Sequence, residues 1–338
     1  MVGEASWAVT AKIDADMLLS LRKRYQTLQQ PTMIKVLRIQ DEILSAIRDH
    51  LRKEGFVEIL APIIGPATDP GIRGAKQAEI NYYGTRFKVM SSMILYKQMA
   101  VTSLEKIFAV SPNVRLEPEE SVSTSRHLAE FRQVDVEQAE ADYHDIMKTA
   151  ERLVQYVCQR ILKTHRRELK ELGRRLNVPN TPFKRLTHQE AVDLLKSRGF
   201  NIDAGKEIPW EEEKAVSAVF SEPFFITDYP ITARGFYDRE DPERPGILRD
   251  FDLLYPEGFG EAVSGAEREH TYEGVVKRMR LTGEDPANYQ WYLEMLKTGI
   301  RPSAGFGIGV ERLTRWVCGL KAVWEAVPFP KVPGIVSP

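Results

Sequence analysis

Apolar residues recur with helical spacing early in the chain. Ile34, Val36, Leu37, Ile39, Ile43, Leu44 and Ile47 form one stripe, so Pro31 to Glu54 predicts a long amphipathic helix. Pro31 opens it and Gly55 closes it, the usual asymmetry of helix ends. "FVEILAPII" then predicts a strand stopped at Pro62. A Gly- and Pro-rich loop follows, "GPATDPGIRGAKQAE", and loops this long in a compact domain tend to carry function. "INYYGTRFKVMSS" predicts a hairpin turning at Gly84, and "MILYKQMAVTSL" a helix.

From there the period changes to two. "EKIFAVSPNVRLE" and "LAEFRQVDVEQAEA" alternate apolar and polar positions, which predicts two antiparallel strands joined by the polar stretch "PEESVSTSRH". Residues 141 to 200 read as mainly helical, with a helix opened by Thr187 and closed near Gly199. "FFITDYP", "RDFDLLYPEGFGEAVSGAER" and the glycine-alternating "RPSAGFGIG" read as strands, the last running into the helix "VERLTRWVCGL". Strands and helices do not alternate regularly, which argues for an α+β fold with an antiparallel sheet.

Composition narrows the class only slightly. The chain has 338 residues and a formal charge of -1, giving no bulk electrostatic argument for nucleic acid or membrane binding. Cys158 and Cys318 lie far apart without a CxxC, and read as buried thiols of a reducing compartment. The N-terminus has no apolar signal core and no apolar run is long enough to span a bilayer, so a soluble cytoplasmic protein is expected.

Three segments carry candidate chemistry. In "SAGFGIGVERL", Gly305, Gly307 and Gly309 share one strand face, and Arg312 enters the first turn of the next helix. A planar ligand over a bare strand with an anionic group at the arginine suits a nucleotide, and tight strand–helix packing suits the pattern equally. In "NVRLEPEESVSTSRHLAEFRQVDVE", Arg115 and Glu117 are placed two apart on one strand face, with His127 and Phe131 across the loop. Those residues suit a phosphate and a purine, and equally a hairpin with surface salt bridges. "DFDLLYPEGFGEAVSGAEREH" gathers Asp252, Glu261, Ser264 and Arg268, oxygen donors that suit magnesium and a fork that suits a carboxylate, or simply a charged hairpin.

Taken together and in this order, the segments resemble the catalytic domain of class II aminoacyl-tRNA synthetases, in the aspartyl/asparaginyl subgroup. "PTMIKVLRIQDEILSAIRDHLRKEGFVEILAPII" resembles motif 1, "VRLE…RHLAEFRQVDVE" motif 2 and "GFGIGVERL" motif 3. The resemblance implies a six- to seven-stranded antiparallel sheet with flanking helices, a homodimer through the motif 1 helix, ATP, Mg2+ and an acyl-adenylate. It divides the chain into a short extension at 1–30 and a catalytic domain at 31–338, with a helical insertion at about 160–222.

The same resemblance assigns roles. Arg115, Glu261 and Arg312 are the implied catalytic residues. ATP would meet Arg115, Glu117, Arg126, His127, Leu128, Phe131, Glu261 and Arg312, with Gly309 in the floor beneath it. Magnesium would take Glu261 and Ser264, and Asp252 more weakly. Lys97 in "ILYKQ" matches the lysine of aspartyl enzymes and with Arg268 would hold a carboxylate, which implies aspartate, assisted by Asp69, Gln133, Asp135 and Ser264. Met93 and Ile94 depart from the usual proline and glutamine of that stretch. The loop from Thr68 to Glu79 is the implied lid.

Aspartyl and asparaginyl synthetases carry an N-terminal anticodon-binding barrel of about 100 residues, a common domain size. The extension before motif 1 is too short for one. The sequence is similar to a group of archaeal proteins that share this arrangement, asparagine synthetases related to asparaginyl-tRNA synthetase. The expectation is therefore asparagine synthesis from aspartate, ATP and ammonia through a β-aspartyl-adenylate, with tRNA not expected as a partner. The alternatives are a stand-alone synthetase-like domain that charges tRNA or another acceptor, and a non-catalytic paralogue.

Overall fold

The computed structural model describes residues 15–70 and 75–338. Residues 1–14 of the extension at 1–30 and part of the expected lid therefore lie outside the described residues. The strands are β1 (Val57–Glu58), β2 (Ile64–Gly65), β3 (Glu79–Tyr82), β4 (Thr85–Val89), β5 (Lys106–Val114), β6 (Glu130–Ala139), β7 (Lys184–Thr187), β8 (Phe224–Thr227), β9 (Asp250–Tyr255), β10 (Gly260–Glu267) and β11 (Ser303–Gly309).

Eight of them form one sheet in the order β1-β5-β6-β11-β10-β9-β8-β7. The pairs β1–β5 and β7–β8 at its two edges are parallel, and the interior pairs are antiparallel. The α+β class and the antiparallel centre match the expectation; the strand count exceeds it. The extra strand is β7, in the 160–222 segment expected to be helical. That segment also forms the helices His188–Ser197 and Trp210–Ser217, which pack with Leu186, Ile226 and Leu254 in a small core of their own. A second sheet, β2-β4-β3, holds the hairpin that turns at Gly84, where φ is +86°.

Alternation along the central strands sorts the sheet into two faces. Val134 and Val136 of β6, Phe306 and Ile308 of β11, and Phe251 and Leu253 of β9 point to one side and are fully buried. They pack under the helices Pro31–Lys53 and Tyr143–Thr164, through Ile39, Ile43, Leu153 and Val157. Each such side chain contributes about 1.5–3 kcal/mol by leaving water. Helix ends follow the local sequence. Asp142 caps Tyr143–Thr164 through the Asp145 N–H at 2.8 Å, and Thr187 with Glu190 forms a capping box on His188–Ser197. With one face sealed by helices, the polar residues of the same strands are left to line the other.

Before Pro62, "FVEILAPII" supplies much less strand than expected, because only Val57 and Glu58 pair there, with β5; its last residue, Ile64, begins β2. Cys158 and Cys318 are both buried free thiols, and burial pushes each pKa up to about 12. Among the described residues no helix is long and apolar enough to cross a membrane.

Candidate active site

The open face of the sheet carries a cleft lined mainly by polar and charged side chains. Of the residues given roles from the sequence, all but Asp252 line it, and of the three alternating glycines Gly305 does not. The register explains the convergence. Gln133, Asp135 and Glu137 of β6 stand directly across from Gly309, Gly307 and Gly305 of β11. On the far side of β11, Ser264 of β10 faces Gly307.

The glycines make room chiefly for neighbouring side chains, which corrects the expectation of a bare platform. A Cβ at Gly305 would overlap the Glu137 carboxylate, and one at Gly307 would stand 2.9 Å from Gln133 Nε2. At Gly309 the nearest atoms are those of Arg312, at 3.5 Å. Only Gly307 and Gly309 of the three reach the cleft.

Its floor is a buried ion network. Lys97 Nζ lies 3.0 Å from Asp135 Oδ1 and 3.7 Å from Glu137 Oε2, and donates to the Phe306 carbonyl at 3.2 Å. Arg268 grips Glu137 with two bonds, of 3.0 and 3.1 Å, and reaches Asp238 Oδ1 at 3.3 Å. Burial raises the Asp238 pKa against the pull of Arg268. Ser303 Oγ also donates to Glu137, at 2.9 Å. Lys97 and Arg268 thus share one end of the cleft as expected, yet both are already matched by carboxylates of the chain. Asn113 holds Gln133 Oε1 at 2.9 Å, and Tyr237 donates to Asp69 Oδ1 at 3.1 Å.

At the other end the arginines gather. Arg312 Nη1 donates to Glu261 Oε2 at 2.7 Å and to the Glu261 carbonyl at 3.1 Å. Arg126 Nη2 donates to the same carbonyl at 2.9 Å and to Glu213 Oε1 at 2.7 Å. Arg115 and Glu117 fall beyond the last residue of β5, Val114, so they occupy the connection and not the strand face predicted. Arg115 Nε donates to the Ser91 carbonyl at 3.1 Å, and its guanidinium covers Phe131 at 5.2 Å. Phe131 therefore already has a cation on its ring. His127 bonds Thr124 Oγ1 at 2.7 Å and packs on Trp210 at 4.3 Å, beside the buried Leu128.

Asp252 belongs behind this wall. Its Oδ2 accepts from Arg234 Nη2 at 2.6 Å and from the Tyr229 hydroxyl at 3.0 Å. Burial, opposed by Arg234, pushes its pKa up to about 6. Only Oδ2 is held in this way: among the described residues Oδ1 has no hydrogen-bond partner, Ser264 stands directly across from Asp252 on β10, and the charge of Glu261 adds to the upward shift. Among the described residues no group of three His, Cys, Asp or Glu could hold a metal unaided.

Sequence reasoning missed Glu137, Asp238, Glu213 and Trp210. For Glu137 a signal existed, since "QVDVE" places it on the face of Gln133 and Asp135. For Glu213 none did, because Arg126 is 87 residues away.

Comparison with known proteins bears on what this site is. The model of tRNA synthetases class II (D, K and N) matches residues 16–333. The chain belongs to this class II synthetase family. Over 323 residues it is 36% identical to the asparagine–tRNA ligase of Pyrococcus abyssi, covering 95% of this chain and 73% of that one. It is also 36% identical, over 325 residues, to the aspartate–tRNA(Asp/Asn) ligase of Sulfurisphaera tokodaii, covering 96% and 74%. The solved asparaginyl-tRNA synthetase of Pyrococcus horikoshii, complexed with asparaginyl-adenylate, superposes with a TM-score of 0.89 at 33% identity, covering 96% and 74%.

These relatives correct the function expected from the sequence. They are tRNA ligases, and one is seen with the adenylate of asparagine itself. Asparagine synthesis from aspartate and ammonia is thereby displaced, and with it the β-aspartyl-adenylate. The residues that hold a nucleotide and an amino acid are common ground for both chemistries. They carry no mark of the acceptor, which is why the synthetase motifs could be read correctly and the acceptor wrongly.

Proposed function

We propose that this synthetase-family protein activates an amino acid of the aspartate–asparagine pair with ATP, and passes the acyl group to the terminal ribose of a tRNA. One observation carries the reading: Arg126 and Arg312 converge on Glu261, and Arg115, 3.8 Å from Asp69, lines the same cleft, which also holds Lys97 and Arg268. An anion site next to a charged, size-limited pocket is what joining a carboxylate to a nucleoside triphosphate needs. The relatives named as tRNA ligases support tRNA as the acceptor.

In this proposal the amino acid lies over the floor with its side chain toward Lys97 and Arg268. Asp69, with Gln133 and Asp135, meets its ammonium group. Its α-carboxylate then points at the α-phosphorus of ATP. Arg115 meets the α-phosphoryl oxygens and offsets the charge that grows there as the carboxylate attacks. Pyrophosphate leaves toward Arg312, whose exchange of Glu261 for phosphate oxygens needs only a side-chain rotation. Glu117, His127 and Phe131 hold the adenine end.

Glu261 and Ser264 fit a magnesium ion that draws its other ligands from phosphates, since both present oxygen to the cleft and neither is part of a closed protein cage. Bound there with ATP, magnesium would neutralise charge on the phosphates. Asp252, across from Ser264 with its Oδ2 held by Arg234 and its Oδ1 unpartnered among the described residues, is the weaker third candidate.

The test is pyrophosphate exchange into ATP with asparagine and with aspartate in parallel, followed by transfer to tRNA. Exchange dependent on one of them, and acylated tRNA, is the expected result. Exchange with neither amino acid would overturn the proposal.

A further inference from the structure

We infer that Glu213, on the helix Trp210–Ser217, is a positioning residue for the nucleotide end of the cleft. The inference rests on the reading that this cleft binds ATP. Glu213 lies outside all three motif segments and is buried. Its Oε1 takes the Nη2 donor of Arg126 at 2.7 Å and also accepts the backbone N–H of Glu261. The same Arg126 Nη2 donates to the Glu261 carbonyl at 2.9 Å. One carboxylate thus holds both the guanidinium and the backbone of the carboxylate that would face the phosphates.

Two further observations point the same way. Gly260 adopts φ +75°, and a Cβ there would stand 2.7 Å from Glu213 Oε1 and 2.8 Å from Arg126 Nη1. The chain therefore leaves space at the point where Glu213 and Arg126 meet. Arg126 itself is only 3% exposed, lines the cleft, and has its Nε and Nη1 donors buried without an acceptor in the structure. Phosphate oxygens match such a pair of donors in number and charge. Glu213 holds Arg126 by one nitrogen and leaves the other two to the ligand. Trp210, three residues earlier on the same helix, packs on His127, so the helix forms a wall of the nucleotide end.

The experiment is ATP binding by titration calorimetry in magnesium buffer, with melting temperatures recorded alongside. It compares wild type, Glu213→Ala, Glu213→Gln, Arg126→Ala and the double variant Arg126→Ala/Glu213→Ala. Glu213→Ala should weaken ATP binding about tenfold, and Glu213→Gln, which keeps an acceptor oxygen, about threefold. Neither should change amino-acid binding by more than about twofold. In the Arg126→Ala background, loss of Glu213 should add less than about threefold.

Equal losses in both backgrounds, or a lower melting temperature with unchanged ATP affinity, would overturn the role of Glu213 alone. Should the alanine variant fail to fold, Glu213→Gln in both backgrounds decides by the same criteria. Wild-type protein that binds no ATP would overturn the reading of the cleft as well, and so separates the two failures.

Discussion

Lys97, Asp135, Glu137 and Arg268 at the floor of the cleft are at most 3% exposed, and each holds another in place. Elsewhere in the cleft the picture changes: the side chains of Arg115, Glu261 and Arg312 keep 23%, 16% and 24% of their exposure. Members of a buried ion pair cannot separate without stranding a charge, so the floor has one geometry. Arginines that keep about a quarter of their exposure give up less when they turn to a new anion. The amino-acid end is therefore matched by fixed charge, and the nucleotide end by one fixed cation, Arg126, together with two, Arg115 and Arg312, that can exchange partners.

The comparison breaks first at Glu137. Glu137→Ala should leave Arg268 and Lys97 short of a counter-ion in the interior and lower stability by about 3–5 kcal/mol, measured by denaturant unfolding. A variant as stable as wild type would mean the floor is not locked. Arg115→Ala should act the opposite way. Its unfolding should barely change, while pyrophosphate exchange falls about 10²–10³-fold. Normal exchange in that variant would misplace the phosphates.

A smaller effect sharpens the floor's selectivity. Two cations there face three carboxylates, Asp135, Glu137 and Asp238, so no positive charge is in surplus. Lys97→Met should disfavour aspartate relative to asparagine by about tenfold in exchange assays. An unchanged ratio would show that Lys97 does not face the side chain of the substrate.

The smallest effect lies between the two ends, at Glu311, which accepts the Arg132 N–H at 2.9 Å. Burial pushes its pKa up to about 7, against that hydrogen bond. Because the folded value lies above the unfolded one, the neutral form favours the native state. The contribution is complete below the ordinary carboxylate range and is lost as pH rises through about 7. Melting temperatures between pH 5 and 8 should fall less steeply in Glu311→Gln than in wild type; parallel curves would exclude Glu311 as the source.

Much of this was legible because the signals are local. The apolar stripe gave Pro31–Lys53, the Gly84 turn gave a hairpin, and the alternation in "QVDVE" gave a polar strand face. What was hidden depends on pairing across the chain. The purpose of Gly305 shows only when Glu137 lies opposite it, and Arg268 meets Glu137 across 131 residues. β7 is four residues with two charges, too short for a period to show, and it exists because β8 lies beside it. Motifs 2 and 3 led to much of the cleft lining, whereas the pairing of Asp252 with Arg234 involves a side chain that no motif contains.

The strand order has a consequence in time. β11 is the last strand in the chain, yet it lies between β6 and β10 at the centre of the sheet. During synthesis both halves of the sheet emerge first, each with an open edge where β11 belongs. They can wait as partly folded pieces, but they cannot close on each other until Ser303–Gly309 arrives. A nascent or truncated chain that stops short of that strand has neither end of the cleft, so the protein acquires its ligands' site in a single late step.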